Sequence, residues 1–556
     1  MKTNSADRIQ VALGVSPLLA RLLAERGWSE IEAVTEFLYP RLEHTHSPWL
    51  MLGMEPAVAR TLRAIAAGES IRILGDYDVD GTIATVILRQ ALKTLGAEVS
   101  YELPERLGNG YGLRAETFER AAADGVKLAI TVDNGIREQE ALERAQALGI
   151  DVIITDHHLP PQTLPTVVAI VNPHQAGCEY PDKNLCGSGV AFKLAQALLE
   201  RSGKLEGTWP AGLRSYLKLV AIATVADAVP LLGENRVFAR FGLEGLERPV
   251  NPGLRALLGF AMAKGKTRVT SRDVAFGLAP RLNAAGRMGA ADRVVELFSA
   301  PAAEAGGIAQ ALEGLNQERQ QCCARMLAEI EARGLGEEPG VQVISGEGWH
   351  RGVLGIVANK VVERTQRPVV IVSLEEGRAH GSGRAPDGMH LLQVIEGCGD
   401  LFDRFGGHAQ AVGFSMDAGK LEALRTYLAQ AEMPTPARKN AEYFEVRLSE
   451  LTPPICKELA RLQPFGEGNP EPVLRVRGAR LAEAPQVLKE RHLKLVVEED
   501  GVRHTALLWN STDCARLAPG VELELIGRLE TTMHERFGEQ TRLMLREFFV
   551  TSAAVL

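Results

Sequence analysis

The stretch that decides the fold runs from Ile71 to Gly81 and reads IRILGDYDVDG. It begins as a short apolar strand and ends in a cluster of aspartates, and the stretch TIATVILRQALKTLG then continues as an amphipathic helix. A strand that ends in polar residues and leads into a helix is the repeating unit of a parallel sheet with helices on its faces. The sequence therefore predicts an α/β fold.

The same unit recurs further along the chain. The strand KLAITV ends in Asp133-Asn134-Gly135, and the strand DVIIT ends in Asp156-His157-His158. In a parallel α/β sheet, ligands bind in the crevice outside the carboxyl ends of the strands. We therefore expect the aspartates and histidines of the three strand ends to meet at one edge of the sheet.

The first acidic cluster indicates a hard-metal site. Asp76, Asp78 and Asp80 would repel one another unless a cation lay between them. An EF-hand begins in the same way, but its twelfth loop position would be Ile87 instead of a glutamate, and no helix is predicted before the loop. For this cluster alone, a solvated acidic turn is the alternative.

Asp227 is a further candidate, at the end of the apolar helical stretch LVAIATVADAVP. A carboxylate there is costly unless something pairs with it, and a helix cap or a salt-bridged core residue would also meet this requirement. Together with the strand ends, it supplies oxygen and imidazole ligands for two divalent cations. Such ligands without Cys favour Mn²⁺ or Mg²⁺ over structural Zn²⁺. Two cations about 3.5–4 Å apart promote in-line attack on phosphorus, so we predict a metal-dependent phosphoester hydrolase.

The length of the chain predicts several domains. At 556 residues, about three to four domains are expected. The C-terminal block alternates like the strands of a small barrel and is compatible with an OB-like fold. The predicted division is an N-terminal helical lead-in at 1–45, a catalytic α/β domain at 46–239, a helical connecting region at 240–335, a second α/β domain at 336–432 and the OB-like domain at 440–556.

Composition excludes several classes of protein. The 62 basic and 70 acidic residues give a net charge of −8, which excludes a generally basic nucleic-acid coat but permits a local basic channel. Seven Cys without a C-x-x-C pair argue against a disulfide framework or a thiolate zinc site and favour a reducing compartment. Neither a signal-like start nor an apolar run of membrane-spanning length is present. A soluble, cytoplasmic monomer without membrane contact is expected.

The motifs GDYDVDG, TVDNG, TDHH and TVAD, in this order, resemble the DHH phosphoesterase superfamily. The stretches LPERLGNGYGL, PRLNAAGR, WHRGVLGI, GSGR and GGHAQAVG narrow the resemblance to the bacterial RecJ family of single-strand-specific 5′→3′ DNA exonucleases. The resemblance covers most of the chain between residues 70 and 415 and extends weakly to ERHLK at 490–494. It implies a DHH domain, a DHHA1-like second α/β domain and a C-terminal OB-like barrel.

The resemblance also implies roles for the matching residues of the first domain. Asp133 would bridge the two cations and take part in catalysis. Asp76 and Asp156 would orient the ligands or the histidine rings, and His158 would contact the scissile phosphate or assist the leaving group. The implied metal ligands are Asp78, Asp80, Asp133, His157 and Asp227.

The second α/β domain carries two glycine-rich stretches, Gly381-Ser382-Gly383-Arg384 and Gly406-Gly407-His408. Glycines let backbone amides approach a phosphate, and an arginine fork can bind it, although G-S-G-R by itself is more often a turn. The resemblance implies that Ser382 and Arg384 hold the 5′-terminal phosphate of the strand. The remaining implied substrate contacts are Arg106, Arg281, Asn283, Arg287, Gly407 and His408.

A single arginine is more often a solvated or ion-paired surface residue than a ligand contact, so these positions need geometry to support them. The C-terminal domain has no net basic character, and a DNA groove there would depend on the arrangement of individual side chains. The candidates for such a groove are Arg475, Arg477, Arg491, Lys494 and Arg503.

The expected function is a single-strand-specific 5′→3′ DNA exonuclease that releases 5′-mononucleotides in DNA recombination and repair. A channel too narrow for a duplex would explain the strand specificity, and the resemblance implies a single-strand-binding protein and a helicase as partners. One alternative is a DHH phosphodiesterase of short oligonucleotides or cyclic dinucleotides, which would not need the additional domains. The other is a non-catalytic single-strand DNA-binding scaffold, which loss of the metal ligands would mark.

Overall fold

The structure is a computed structural model that describes residues 5–552, with gaps at 105–111, 206, 208, 264, 335–339, 433–442, 515–516 and 535–537. Within these residues the strands form three separate sheets. The helices that precede the second sheet are α1 Ser5–Leu13, α2 Pro17–Glu25, α3 Ile31–Leu38, α4 Met54–Ala67, α5 Val79–Thr94, α6 Ala115–Ala123, α7 Gln139–Ala147, α8 Gly187–Arg201, α9 Ala211–Ala226, α10 Gly233–Leu246, α11 Pro252–Ala261, α12 Ser271–Asp273, α13 Ala279–Arg287, α14 Asp292–Ser299 and α15 Ala302–Arg333.

The first sheet is entirely parallel, as the sequence predicts, with the strand order β2-β1-β3-β4-β5. Strand β2 lies on one side of β1, and β3, β4 and β5 lie on the other side. The connections from the sheet centre therefore run in opposite directions, and a crevice opens between the carboxyl ends of β1 and β3. Strands β1 and β3 are buried along their whole length, because helices cover both faces of the sheet. The strands are β1 Ile71–Leu74, β2 Val99–Glu102, β3 Leu128–Val132, β4 Asp151–Thr155 and β5 Ala169–Val171.

The second sheet is mixed, with the order β6-β7-β8-β10-β9, and only β6 and β7 pair in parallel. The mainly helical character expected between the two α/β domains is confirmed. The elements of this domain are β6 Gln342–Glu347, α16 Leu354–Thr365, β7 Val369–Glu375, β8 Arg378–Arg384, α17 Leu391–Glu396, β9 Arg404–His408, β10 Ala411–Asp417 and α18 Leu421–Ala429.

The interpretation of G-S-G-R as a turn is wrong, because these residues form the end of the central strand β8. The two glycines serve side-chain packing here. A methyl group at Gly381 would overlap the ring of Phe414, and one at Gly383 would lie 2.6 Å from a methyl group of Val412. Because β8 is paired with strands on both sides, these glycines do not serve to bring free backbone amides to a phosphate, although Ser382 and Arg384 remain available for binding one.

The third sheet closes into the expected OB-like barrel. Its order is β11-β12-β16-β17-β15-β14-β13, and an additional pairing between β12 and β14 joins the sheet to itself. Five strands thus form the closed ring, as in an OB fold. The elements are β11 Phe444–Glu445, α19 Pro453–Leu459, β12 Leu474–Leu481, β13 Gln486–Leu488, β14 His492–Glu499, β15 Val502–Leu508, β16 Glu522–His534 and β17 Gly538–Ser552.

The N-terminal helices pack on this C-terminal barrel. Leu19 and Leu23 of α2 share one apolar core with Leu474 and Leu523 of the barrel. The Ser16 backbone amide also donates a hydrogen bond of 3.0 Å to a carboxylate 442 positions later. The two ends of the described chain therefore belong to one packed unit.

Arg236 in α10 connects this unit to the first α/β domain. Its guanidinium is buried and donates hydrogen bonds of 2.7–3.0 Å to the carbonyl oxygens of Phe37, Arg461, Leu462 and Gln463. Three of these acceptors stand at the end of the helical turn after α19, where the helix dipole favours a cation. Among the described residues, no helix is both long and apolar enough to cross a bilayer.

Candidate metal centre

The loop after β1 places three aspartates at the carboxyl edge of the first sheet. Asp78 is the N-cap of α5, and its Oδ1 accepts a 3.0 Å hydrogen bond from the Gly81 amide. The helix consequently begins at Val79, inside the acidic cluster, instead of after Gly81. A methyl group at Gly81 would lie 2.6 Å from Cβ of Asp76, so this tight loop requires glycine.

Asp80 is anchored by the first turn of α8. The Gly187 and Ser188 amides donate hydrogen bonds of 2.6 and 2.8 Å to its two carboxylate oxygens, and the Ser188 hydroxyl donates to its carbonyl oxygen. Backbone N–H groups at a helix N-terminus stabilise a negative charge. Neither residue is among the candidates predicted from the sequence, although the run of small residues G-S-G at 187–189 indicates a close approach of the backbone.

Asp133, at the end of β3, has an unusual backbone conformation. Its φ is 63°, a left-handed value that aspartate adopts more readily than most residues, and its amide donates a 3.0 Å hydrogen bond to the Thr155 carbonyl oxygen. The side chain is buried, and no hydrogen bond from the described residues reaches its Oδ1. A methyl group at Gly187 would lie 2.5 Å from this oxygen, so glycine keeps the space around it open.

His157 lies at the centre of the cluster. Its Nε2 is 3.1 Å from Asp133 Oδ1 and 3.8 Å from both Asp80 Oδ2 and Asp227 Oδ2. Asp227 arrives from the C-terminal end of α9, where it is the residue after the last helical turn. Burial lowers the pKa of His157, so its imidazole is neutral and suited to ligation.

Three overlapping groups of side chains have ligand atoms close enough to hold a cation. Asp133 and His157 each belong to two of these groups, and Asp133 therefore has the position expected of a bridging ligand. The groups, each with ligand atoms within 4.8 Å of one another, are Asp76, Asp78 and Asp133; Asp80, His157 and Asp227; and Asp133, His157 and His158.

The electrostatics of the cluster favour cation binding. Burial, and then the negative charges of Asp80 and Asp78, raise the pKa of Asp227 to about 9. The same two causes hold the pKa of Asp133 well above its usual range. Buried carboxylates, an unbonded carboxylate oxygen and a neutral imidazole suit a hard divalent cation, so the residues fit Mn²⁺ or Mg²⁺.

Asp156 has a different environment from the other aspartates, because hydrogen bonds occupy both of its oxygens. One accepts from the Ile136 amide, and the other accepts from the His157 and His158 amides and lies 2.7 Å from His158 Nδ1. Burial opposes charge on both partners, but the hydrogen bond outweighs it, lowering the pKa of Asp156 and raising that of His158 to about 9. Asp156 therefore fixes the two histidines and belongs to none of the three ligand groups among the described residues.

Helix α13 lies between the loop after β1, which we call the metal loop, and the second α/β domain. The Val79 amide donates a 3.3 Å hydrogen bond to Asn283 Oδ1, and Gly286 approaches the Tyr77 carbonyl oxygen too closely for any side chain. The next residue, Arg287, ends the helix and donates a 3.1 Å hydrogen bond to the Gly352 carbonyl oxygen. This helix therefore sets the distance between the two domains.

The other predicted substrate contacts that the structure describes lie on α13 and β9. Arg281 is ion-paired with Glu313 of α15 at 2.6 Å. Gly407 and His408 lie on the exposed edge strand β9, away from any ligand group among the described residues. Arg106 lies outside the described residues.

Ser382 and Arg384 project from β8 toward the first turn of α16. Arg384 Nη1 donates a 3.2 Å hydrogen bond to the Ser382 hydroxyl. A methyl group at Gly355, in that turn, would lie 2.7 Å from Arg384 Nη2 and 3.1 Å from Ser382 Oγ. A guanidinium, a hydroxyl and a helix N-terminus thus converge, which is a favourable set of groups for an anion.

Models of three protein families match the chain. The DHH family N-terminal domain matches residues 70–224, the DHHA1 domain matches 338–432 and the RecJ OB domain matches 444–546. The single-stranded-DNA-specific exonuclease RecJ of Salmonella typhimurium is 36% identical over 529 residues, which cover 90% of each chain. The chain belongs to the RecJ family. The family resemblance and the fold class predicted from the sequence are confirmed.

Further relatives extend this result. RecJ of Bacillus subtilis is 37% identical over 532 residues, and the match spans 93% of this chain but only 66% of that longer protein. The crystal structure of Thermus thermophilus RecJ in complex with Mn²⁺ has a TM-score of 0.83 at 32% identity and covers 99% of this chain and 78% of that one. A second structure of that protein holds Mg²⁺. These relatives are named as exonucleases, not as cyclic-dinucleotide phosphodiesterases or scaffolds.

Proposed function

We propose that this RecJ-family chain hydrolyses single-stranded DNA from its 5′ end and releases 5′-mononucleotides. The observation that carries the proposal is the close clustering of carboxylates around His157, in which Asp133 belongs to two ligand groups. Asp78, Asp80 and Asp227 complete the ligands for two divalent cations. When bound, these cations would supply Lewis acidity at the phosphate and activate water for in-line attack.

His158 is the residue best placed to handle a proton. Its Nδ1 is engaged by Asp156, so Nε2 is the nitrogen left for the substrate. With a pKa of about 9 in the metal-free chain, the imidazolium can donate a hydrogen bond to a phosphate oxygen or a proton to the leaving 3′ oxygen. Bound cations would lower this pKa, which would bring it closer to the working pH.

Ser382, Arg384 and the first turn of α16 are proposed to hold the 5′-terminal phosphate. Because α13 contacts both the metal loop and the second domain, it would fix the distance from that phosphate to the metal centre. A fixed distance selects the phosphodiester that is cut and so accounts for release of one nucleotide at a time. A channel too narrow for a duplex, between the two α/β domains, would confine the reaction to single strands.

Family membership supports a proposal for the cellular role of this activity. We propose roles in DNA repair and recombination in the cytoplasm, as a monomer, with a single-strand-binding protein and a helicase supplying the strand. The proposed division of labour is catalysis in residues 46–239, spacing in 240–335 and end recognition in 336–432. The N-terminal helices at 1–45 would support the strand-guiding barrel at 440–556.

The proposal is tested by digestion of a single strand labelled at either end, in Mn²⁺, with the wild type and Asp133→Ala. We expect immediate release of a labelled mononucleotide from the 5′ label only, no reaction on a blunt duplex and no reaction with the variant. Arg384→Ala should lose its preference for a 5′-phosphorylated over a 5′-hydroxyl strand, because only the phosphate needs the guanidinium.

Other outcomes would point elsewhere. An intact affinity for single strands without any digestion would favour the non-catalytic scaffold. Cleavage confined to oligomers of a few nucleotides would favour a small-substrate phosphodiesterase. Release of the 3′ label first would contradict the assignment of Ser382 and Arg384 to the 5′ end.

A further inference from the structure

Asp227 differs from the other predicted metal ligands in how the fold delivers it. Those ligands follow strands β1, β3 and β4 of the first sheet, whereas Asp227 is the residue after the last turn of α9. The negative end of the helix dipole lies there and disfavours a carboxylate. Contacts beyond the helix itself are therefore needed to hold Asp227 beside His157.

The segment after Asp227, residues 228–231, has a strained backbone. Ala228 has a φ of 55°, a left-handed value that the alanine side chain disfavours. Strain of this kind persists only where the surrounding structure holds the backbone in place. One such contact comes from α10, where the buried Asn235 side chain donates a 3.2 Å hydrogen bond to the Pro230 carbonyl oxygen.

The other contacts come from the C-terminal unit, from a turn between α19 and β12 that we call the 465–469 turn. The Leu231 amide donates a 2.8 Å hydrogen bond to the Glu467 carbonyl oxygen. A methyl group at Gly466 would lie 2.7 Å from Leu231 Cδ1, and one at Gly468 would lie 3.1 Å from Pro230 Cβ. The turn thus lies directly against the segment, and its two glycines permit this approach.

The 465–469 turn is itself closed and anchored. Gly466 and Asn469 exchange backbone hydrogen bonds of 3.0 and 3.1 Å. The buried Asn469 side chain donates hydrogen bonds of 2.7 and 2.9 Å to the carbonyl oxygens of Leu462 and Pro464. Its Oδ1 accepts a 3.1 Å hydrogen bond from Arg26, at the end of α2. The turn is therefore a fixed part of the unit that the N-terminal helices and the barrel form.

We propose that the 465–469 turn is a positioning element for the metal centre, which holds the segment after Asp227 and thereby fixes that carboxylate beside Asp80 and His157. Groups that orient a ligand without touching the metal contribute about ten- to hundredfold to metal affinity. Tight binding at this ligand group consequently requires the C-terminal unit to be docked on the first α/β domain. The inference rests on the proposed function, since it concerns a cation that the reaction uses.

The first test titrates the full chain with Mn²⁺ and measures the free ion by its electron paramagnetic resonance signal. The wild type should bind two equivalents. Asn469→Ala removes the hydrogen bonds that anchor the turn and should weaken one equivalent about tenfold. The other equivalent should keep its affinity, because the ligand group of Asp76, Asp78 and Asp133 does not include Asp227.

Two further variants separate positioning from general stability. Gly466→Ala leaves the Asn469 side chain in place but brings a methyl group against Leu231, so it should weaken the same equivalent. Leu495→Ala removes a buried side chain from the barrel core and leaves the turn unchanged. It should lower the free energy of unfolding but retain both Mn²⁺ affinities.

The second test measures digestion as a function of Mn²⁺ concentration. In Asn469→Ala, the concentration for half-maximal turnover should rise about tenfold, and turnover at saturating Mn²⁺ should approach the wild-type value because every ligand is present. Asp227→Ala lacks a ligand and should not recover at any Mn²⁺ concentration.

The outcomes separate this inference from the proposed function. If the wild type digests single strands but Asn469→Ala binds both equivalents normally, the inference is overturned and the proposed function stands. If Asn469→Ala and Gly466→Ala weaken one equivalent but the wild type digests no strand, the inference stands and the proposed function fails. Equal weakening of both equivalents, or the same loss in Leu495→Ala, would show a general defect of folding and overturn the inference.

Discussion

Two buried polar regions lie along helix α8, and they differ in how their charges are compensated. At the first turn, Asp80 and Asp133 belong to a cluster of carboxylates, and Asp133 Oδ1 accepts no hydrogen bond from the residues that the structure describes. In the middle of the helix, Lys193 is fully buried, forms an ion pair with Glu234 and donates a 2.7 Å hydrogen bond to the His46 carbonyl oxygen. Tyr180 and the His46 amide donate to the same glutamate.

The difference teaches which buried charges belong to a ligand site. Both regions contain buried ionisable side chains that would be costly if unpaired. The Lys193–Glu234 network satisfies its charges from within the chain, so it holds the fold together without a ligand. In the part of the chain that the structure describes, the cluster around Asp133 has too few cationic side chains to balance its carboxylates, so protons on Asp227 and His158 compensate it in the metal-free chain and a divalent cation would take their place.

The largest effect is expected from Asp133→Asn. The amide keeps the size of the side chain and tolerates the left-handed backbone, but it cannot bridge two cations as a carboxylate does. Exonuclease turnover should fall about 10³–10⁴-fold, the equivalent of several kcal/mol of transition-state stabilisation. The metal-free variant should be at least as stable as the wild type in a thermal melt, because one buried like charge is gone. A clear loss of stability would mean that the Asp133 carboxylate, like that of Glu234, stabilises the folded chain without a ligand.

Glu234→Gln should have the opposite effect on stability. The change leaves the Lys193 ammonium buried without a counter-charge, which is expected to lower the free energy of unfolding by about 3–5 kcal/mol. Denaturant titration measures the loss. Glu55→Gln, which breaks an exposed ion pair with Arg201, is the control and should leave the midpoint almost unchanged. A Glu234 variant of wild-type stability would show that the network is dispensable.

Added Mn²⁺ should raise the free energy of unfolding only in chains that keep the Asp133 carboxylate. At a Mn²⁺ concentration about 100 times its Kd, the wild-type free energy of unfolding should rise by about 2.7 kcal/mol. The Glu234→Gln chain should show the same increment from its lower starting point, and Asp133→Asn should show little of it. Equal increments in all three chains would place the cation elsewhere.

The smallest effect is the pH dependence of the metal-free chain. Asp227 and His158 have pKa values of about 9 when folded, above their ordinary values. The folded chain therefore holds protons that the unfolded chain releases, at Asp227 above about pH 4 and at His158 above about pH 6.5. Stability should consequently decline as the pH rises toward 9, and melts in EDTA across this range measure it. A stability that increases over the same interval would contradict the raised pKa values.

Sequence alone predicts that the candidate metal ligands lie close together, because most of them follow strands of the first sheet. Asp78, Asp133 and His157 need only the rule that parallel strands end at one edge. Lys193 could not be understood in the same way, because its partner Glu234 lies on another helix. The anchoring of Asp80 by Gly187 is likewise non-local.

At the G-S-G-R stretch, local sequence preferences indicate the wrong structure. Local preferences favour a turn, but the strand partner of Gly381 is Phe414, whose ring takes the space of a side chain. The same limit applies to Arg236, whose four carbonyl acceptors come from segments far apart in the sequence. Contacts of this kind depend on the assembled fold and leave no local pattern.

The packing of the N-terminal helices on the C-terminal barrel has a consequence for biosynthesis. During translation, Leu19 and Leu23 leave the ribosome long before Leu474 and Leu523, the residues that will cover them, have been made. The core of the first sheet, from Leu42 to Leu312, can meanwhile form from chain already available. The nascent chain therefore exposes part of this leucine surface until the barrel has been synthesised, and such a surface is of the kind that chaperones protect.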